Sequence, residues 1–515
     1  MKILANLSIV SGATLLSRIL GLVRDVLFFS IFGISVFGEA FLLAFTFPNL
    51  FRRMLGEGTL TSALIPTYSS CLQQTGQSRA FDLLNQVFTR LLCFLGILAL
   101  VVGLVSFLSF STEIFDKPKW TLGALYNSIT FSYVILICAS AILVAVLNVH
   151  AHFWEGAISP VLLNAFMIGA LCLSFSSIIK DRHELALALC SSVLLAGAFQ
   201  LMLPWYRLRT VSNWRWTPNP IKSEDLQALS KLFWVGALGA TVSQVNILVS
   251  RLFAYSLSEE GSLAFLYIAA RLVELPLGLF AIAISTVIFP LLSKASASND
   301  RASFENHFFK GFRLIIAITL PASIGLSLLA EPVLQLLFEW QEFDRQNVLR
   351  GSMVLQVSAW TIPAYAISSY LVKVHHSRKN MKIPLRAAVV SLLTNTVLSI
   401  VLMNLFGVIG LAWANLISSL CQVMILVPSL SLLGFSSWLN SEKVSLNLSV
   451  PASFLMAVFV YSMDALLADY SSKLLTTLSV ALIIAASSGL YLLTLCILKF
   501  PDFPNLLQGR HHGRD

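Results

Sequence analysis

Charge is what this sequence has least of. Only 11% of its 515 residues are Asp, Glu, Lys or Arg, while 57% are hydrophobic and mean hydropathy is +0.82. A water-soluble chain of this size would carry charge at roughly a quarter of its positions, so that class is excluded. Cysteine is scarce as well. Its 7 residues, at 71, 93, 138, 172, 190, 421 and 496, lie in or beside apolar runs, with no CxxC and no metal-ligand spacing. They read as small core residues, not as a disulfide framework or a zinc site. The 8 histidines fall in short connections and in the polar tail, so no metal and no cofactor is expected. Walker-type lysine loops, HExxH and GxSxG are missing, and no polar stretch is long enough to hold a nucleotide domain. An enzyme is not expected, and neither is transport driven by ATP bound to this chain. A cleaved leader is not expected either: the apolar run after Lys2 continues past Arg18 and Arg24, and no small-x-small site followed by a polar sequence appears.

What the chain does have is long apolar runs, mostly 20 to 28 residues and without strand-like alternation. Hydrocarbon about 30 Å thick takes about 20 apolar residues per helix, and only helices or closed barrels satisfy their backbone there. The expected fold is therefore an all-α polytopic membrane protein with about 14 spans, among them 5–32, 36–55, 157–178, 228–255, 262–291, 384–404 and 408–433. Connections rich in Lys and Arg stay in the cytoplasm. One alternate set holds Arg207, Arg209, Arg215 and Lys222, then Lys294, Arg301 and Lys310, then Lys373, Arg378, Lys379 and Lys382. The other set is acidic or balanced, with Asp181, Glu184, Glu259, Glu260, Glu331, Glu339, Glu342 and Asp344. Both termini are thus expected in the cytoplasm. The topology accounts for the net charge of +9, and no nucleic-acid partner is needed to explain it.

A weak internal repeat runs through these spans. Pro66 and Ser69 recur as Pro290 and Ser293, and the same separation carries Pro160 to Pro384. Six spans lie between the copies, an even number, so both copies have one orientation: two six-helix lobes in parallel repeat, with two further helices. The expected boundaries are 1–209 for the N-terminal lobe, 210–227 for a cytoplasmic linker, 228–433 for the C-terminal lobe, and 434–515 for the added pair and tail. Two such halves suit a transporter that holds its substrate between them.

The charges inside the spans point the same way. At 100° per residue, Thr14, Ser17, Arg18, Gly21, Arg24 and Asp25 share one sector about 120° wide on the first span. Each Arg or Asp at the centre of a spanning helix costs about 2.5–3.5 kcal/mol, so a stripe of them faces protein interior, not lipid. The second span ends in FPNLFRRMLGEGTL, 47–60. Pro48 deprives the carbonyl of Ala44 of its usual donor, and Gly56 and Gly58 loosen the turn beyond. Asn49, Arg52 and Arg53 fall on one side of that helix, with Glu39 and Glu57 as countercharge. In the eighth span Arg271 and Glu274 stand three apart and can pair, next to Pro276. Asn164 in the fifth span is a lone amide, as is Asn395 in the eleventh. Arg251, at the end of the seventh, reads as a side chain reaching the outer interface. A cavity with this excess of guanidinium prefers an anion with several oxygen acceptors, phosphate above all.

The stretches SRILGLVRD (17–25), PNLFRRMLGEG (48–58), SPVLLN (159–164) and RLVELPLG (271–278) resemble the lipid II flippase family of bacteria, MurJ/MviN. The resemblance implies two six-helix lobes around a cationic cavity, with the added pair bounding a groove for a polyprenyl tail. It implies substrate contacts at Arg18, Arg24, Arg52 and Arg271, supported by Asp25, Arg53, Glu57 and Asn164, with Ser17, Glu39, Asn49 and Glu274 nearby. The family often has Asp where this chain has Glu39, and Asp where it has Ala270 before the eighth-span arginine. Where some members bind sodium through a seventh-span carboxylate, this chain has Ser250, and no metal ligand is assigned. The implied activity is movement of the undecaprenyl-diphosphate-linked peptidoglycan precursor, lipid II, from the inner to the outer leaflet of the bacterial cytoplasmic membrane, by alternating access and as a monomer. The alternative is a flippase for another polyprenyl-linked glycan. A cation-drug antiporter would need a carboxylate-rich cavity. A coupling ion, the membrane potential or the substrate's own gradient would drive the cycle.

Overall fold

Runs of Leu, Ile, Val, Ala and Phe with few breakers turn almost the whole chain into helix. The computed structural model describes residues 2–112, 114, 117–175, 178–219, 221, 223–278, 282–427, 443–467 and 473–500. In chain order its helices are α1 (Lys2–Phe32), α2 (Val36–Phe51), a π-helical segment (Arg52–Thr59), α3 (Leu60–Gln74), α4 (Gln77–Ser111), α5 (Pro118–Thr130), α6 (Tyr133–Val149), α7 (Trp154–Phe175), α8 (Arg182–Ser212) and α9 (Glu224–Ser256). They continue as α10 (Ser262–Pro276), α11 (Ile282–Ala297), α12 (Arg301–Leu328), α13 (Ala330–Phe338), α14 (Arg345–Ala359), α15 (Thr361–Ser377), α16 (Lys382–Leu426), α17 (Lys443–Leu467) and α18 (Lys473–Ile497). Strands are absent among the described residues.

Among those residues, 8 stretches of helix are long and apolar enough to cross a bilayer: α4, α5 with α6, α7, α8, α12, α16, and most of α17 and of α18. Several of the other expected spans are interrupted, and each interruption has a local cause. The second span runs through α2 and then changes to π winding at Arg52, four residues after Pro48. The eighth stops at Pro276, with π winding at Leu277 and Gly278. The eleventh and twelfth run together as α16, around Gly407 at φ 57° and ψ −136°, backbone that a residue with a Cβ rarely adopts.

By contact the chain divides into two compact units, Met1–Tyr255 with Trp340–Phe343, and Ser256–Glu339 with Asp344–Asp515. In the first, α1 packs on α7, α7 on α8, α2 on α5, and α6 on α8. The division takes α9, which holds the seventh expected span, with this unit. The described part of the connector 210–227 lies along α4: Trp214 is buried, its Nε1 donates to Asn85 Oδ1 at 3.0 Å, and its ring meets Phe88 edge-on. In the second unit a core of Phe304, Phe308, Phe312, Tyr370 and Leu371 joins α12 to α15, and the Tyr370 hydroxyl donates to the Phe308 carbonyl at 2.8 Å. A second cluster, around Met456, Val460, Ile483 and Tyr491, ties α17 and α18 to α12.

Candidate functional site

The charged stripe of α1 faces protein where it matters most. Arg24 and Asp25 are both buried. Neighbours in a helix do not face each other, yet the Arg24 side chain bends onto Asp25: Nη2 and Nε donate to Asp25 Oδ1 at 2.6 and 3.0 Å. Its Nη1 donates to Asn164 Oδ1 at 3.0 Å, and Asn164 Nδ2 donates to the Ser17 carbonyl at 3.0 Å. The lone amide of α7 thus stitches two turns of α1 together. Met167, one turn further along α7, places its sulfur 3.8 Å from Nη1. A buried guanidinium is tolerable only with its donors filled and its charge matched. Ser17, Arg24, Asp25 and Asn164, picked out separately in the sequence, are one network. Arg18, next to Ser17 and nearly two turns before Arg24 on α1, is half-buried.

The second group grows from the broken end of α2. Pro48 has no N–H to offer Ala44, and Thr130 Oγ1 of α5, which donates to the Tyr126 carbonyl at 2.9 Å, stands 3.4 Å from the Ala44 carbonyl oxygen. The Phe51 carbonyl, at the onset of the π segment, meets the Cys138 thiol at 3.9 Å. π turns inside helices occur often at functional sites, and this one carries both arginines. Arg52 donates through Nε and Nη2 to Asn49 Oδ1 at 3.1 and 2.9 Å. Arg53 lines a cavity of about 10 Å³ with Thr46, Asn49, Leu50, Gln244, Ile247 and Arg251, room for about one water. Glu39 is buried in the first turn of α2. The side chain of Glu57 lies outside the described residues.

Arg251 corrects the sequence reading. Its Nη1 donates to Thr46 Oγ1 at 2.8 Å, so it lies against α2 beside Arg53 instead of reaching out to an interface. The signal was available, since Gln244, Ile247 and Arg251 share one face of α9 at helical spacing. Arg271 and Glu274 belong to the second unit, where they face each other at 3.8 Å, both partly exposed. Asn395 is fully buried there, and its Oδ1 accepts from Ser399 Oγ at 3.4 Å.

In the first unit Arg24, Arg52, Arg53 and Arg251 stand against Asp25 and Glu39. Arg24 donates to a carboxylate, and Nε and Nη2 of Arg52 donate to a neutral amide oxygen. An ionised oxygen is the stronger acceptor for a guanidinium fork, so an anion reaching Arg52 competes with Asn49 for those two nitrogens.

A sequence model described as "Lipid II flippase MurJ" matches residues 28–497. A protein of Bdellovibrio bacteriovorus named "Probable lipid II flippase MurJ" is 31% identical over 439 residues, covering 83% of this chain and 82% of its own. A protein of Vibrio cholerae with the same name is 31% identical over 454 residues, 84% of each chain. Among solved structures, "Lipid II flippase MurJ, inward closed conformation" superposes with a TM-score of 0.73 at 26% identity, covering 95% of this chain and 99% of that one. An inward-facing MATE family multidrug transporter of the MOP superfamily superposes at 0.62 with 14% identity, a likeness of fold alone.

Proposed function

This chain belongs to the MurJ family of lipid II flippases, and from that premise we propose that it carries lipid II from the inner to the outer leaflet of the bacterial cytoplasmic membrane by alternating access. The observation that carries the reading is the set of guanidiniums on α1, on the π segment after α2 and on α9, held inside helices that are otherwise apolar. A diphosphate offers several charged oxygens, and planar forks bind such groups with two parallel hydrogen bonds. Arg52 and Arg53 are the exchangeable contacts in this reading. Arg24, already matched by Asp25, anchors α1 to α7 and sets where the others stand. Arg271 of α10, with Glu274 as its resting partner, is a further substrate contact in this reading, and Arg18 borders the stripe. The lipid tail stays in the bilayer throughout, so only the polar head has to cross between helices.

The finer points of the proposal are these. The chain has about 14 spans, with both termini in the cytoplasm, in two six-helix lobes over 1–209 and 228–433 and an added pair after 434. It acts as a monomer and as a transporter, not as an enzyme. An ion gradient, the membrane potential or the gradient of lipid II drives the cycle.

The test is leaflet-resolved detection of lipid II in cells depleted of their own flippase and complemented with this chain or with Arg24→Ala, Arg52→Ala or Arg271→Ala. The wild-type chain is expected to restore outer-leaflet lipid II. Arg52→Ala and Arg271→Ala should insert at normal levels and fail to restore it. Growth and translocation supported by all three variants would end the assignment of these arginines to the substrate, and no outer-leaflet lipid II with the wild-type chain would end the transport reading. Activity on another polyprenyl-linked glycan with none on lipid II would replace the substrate.

A further inference from the structure

A second polar pocket lies in the first unit, formed by the turn between α6 and α7 and the last turns of α8. Its cavity is about 430 Å³, the size of a small-molecule site. Ala151, His152, Phe153, Trp154, Glu155, Leu203, Tyr206 and Arg207 line it. Ala151 turns the chain with φ at 62°, so that His152 to Glu155 fold over the end of α8.

Glu155 is the informative residue. It is only 5% exposed, and Arg207 Nε meets its Oε1 at 3.2 Å. Its other oxygen, Oε2, is buried and has no hydrogen-bond donor. A buried carboxylate oxygen without a donor is unfavourable. The terminal torsion of a glutamate is broad, so a small rotation presents that oxygen to the open space beside it. Arg207 is half exposed; it also approaches His152 Nδ1, with its Nη2 at 3.5 Å. Carboxylate and guanidinium together are neutral, which suits a ligand carrying one charge of each sign.

The surroundings say what kind of molecule carries them. Leu195, Phe199, Met202 and Tyr206 are exposed apolar residues of α8 at spacings of three and four, one stripe that runs along the helix into the pocket. Trp154 and Tyr206, both exposed, sit where the stripe meets the polar residues, as aromatic side chains do at a membrane interface. A molecule fitting both has an acyl tail along α8 and a zwitterionic head in the pocket. We propose that this pocket binds a membrane glycerophospholipid with a primary ammonium head, the ammonium donating to Glu155 and the phosphate taking Arg207. The aromatic walls add attraction for the cation. A head with net negative charge leaves the pocket unbalanced, and a trimethylated head has no N–H for Glu155.

The test is native mass spectrometry of the full chain in detergent, titrated with phosphatidylethanolamine, phosphatidylcholine or phosphatidylglycerol of the same acyl chains. Wild type should retain phosphatidylethanolamine about tenfold better than the other two, a preference of 1.4 kcal/mol. Glu155→Gln should abolish that preference. Leu203→Trp, which fills the pocket without touching the ion pair, should abolish it as well and guards against a folding defect in the first variant. Equal retention of the three lipids by wild type, or a preference that survives in either variant, overturns the proposal. Translocation is not the readout, so the outcome is independent of the transport reading.

Discussion

Arg24 is the residue at which structure and function are hardest to separate. Its removal disturbs a buried network and also takes a cation from the site, so a single alanine variant answers two questions at once. Buried ion pairs give a way around this. Removing one partner leaves an uncompensated charge and costs about 3–5 kcal/mol, whereas replacing both with apolar residues of similar size is often neutral or stabilising. Asp25→Asn is therefore expected to lower thermal stability and membrane yield sharply. The double variant Arg24→Met with Asp25→Leu should recover wild-type melting behaviour. If Arg24 only anchors α1 to α7, the recovered protein translocates lipid II; if its charge serves the substrate, it folds and does not. Thermal unfolding in detergent beside the leaflet assay reads both outcomes. Arg24 and Asp25 were legible as charges with no business in lipid. Their partner was not, because Asn164 joins them across a separation of 140 residues that no local pattern encodes. Arg251 was misread for a different reason: a position near a helix end suggested an interface, although its spacing from Gln244 and Ile247 placed it on the face of α9 where it meets Thr46 of α2.

At the scale of elements, Pro48 decides how the second span ends. The missing N–H frees the carbonyl of Ala44, which Thr130 approaches from α5, and the change to π winding follows at Arg52. Alanine at 48 supplies the donor and removes the clash of a ring within the helix, which in a helix interior is a matter of about 3 kcal/mol. Pro48→Ala is thus expected to melt at the same temperature or higher. It should also translocate more slowly, because a regular helix carries Arg52 and Arg53 to a different angle. A variant that is both less stable and fully active would show that the break serves packing alone. Breaks of this kind were the most readable elements of the sequence. The turn between the eleventh and twelfth spans was expected between 404 and 408 and falls at Gly407. The connector over 210–227 was not readable as an ordered element, since its order comes from Trp214 seated against α4.

For the whole molecule, the question is which way the chain threads the membrane, since direction of transport has meaning only against that orientation. The argument from connector charge counts Lys and Arg near the spans and gives carboxylates little weight. The connections expected outside do hold arginines, and the structure gives these a carboxylate each: Arg182 with Glu342 and Arg350 with Glu259, both at 2.7 Å, and Arg345 with Glu331. Arginines of the basic set are paired as well, Arg207 with Glu155 and Arg301 with Glu305, so local pairing does not distinguish the two sides. The proposed orientation, with both termini in the cytoplasm, rests on the count of Lys and Arg in the connections. It is tested with single cysteines in a background whose own cysteines are replaced. Ser258→Cys and Ser298→Cys occupy exposed turns on either side of α10 and α11. A membrane-impermeant maleimide is expected to label position 258 in intact spheroplasts and position 298 only after the membrane is opened. The reverse pattern would invert the topology and with it the proposed direction of flipping. Labelling of both from one side would mean that the broken pair α10 and α11, neither of which is long and apolar enough by itself, does not make a crossing. The even spacing of the repeat would then fail, and the two six-helix lobes with it.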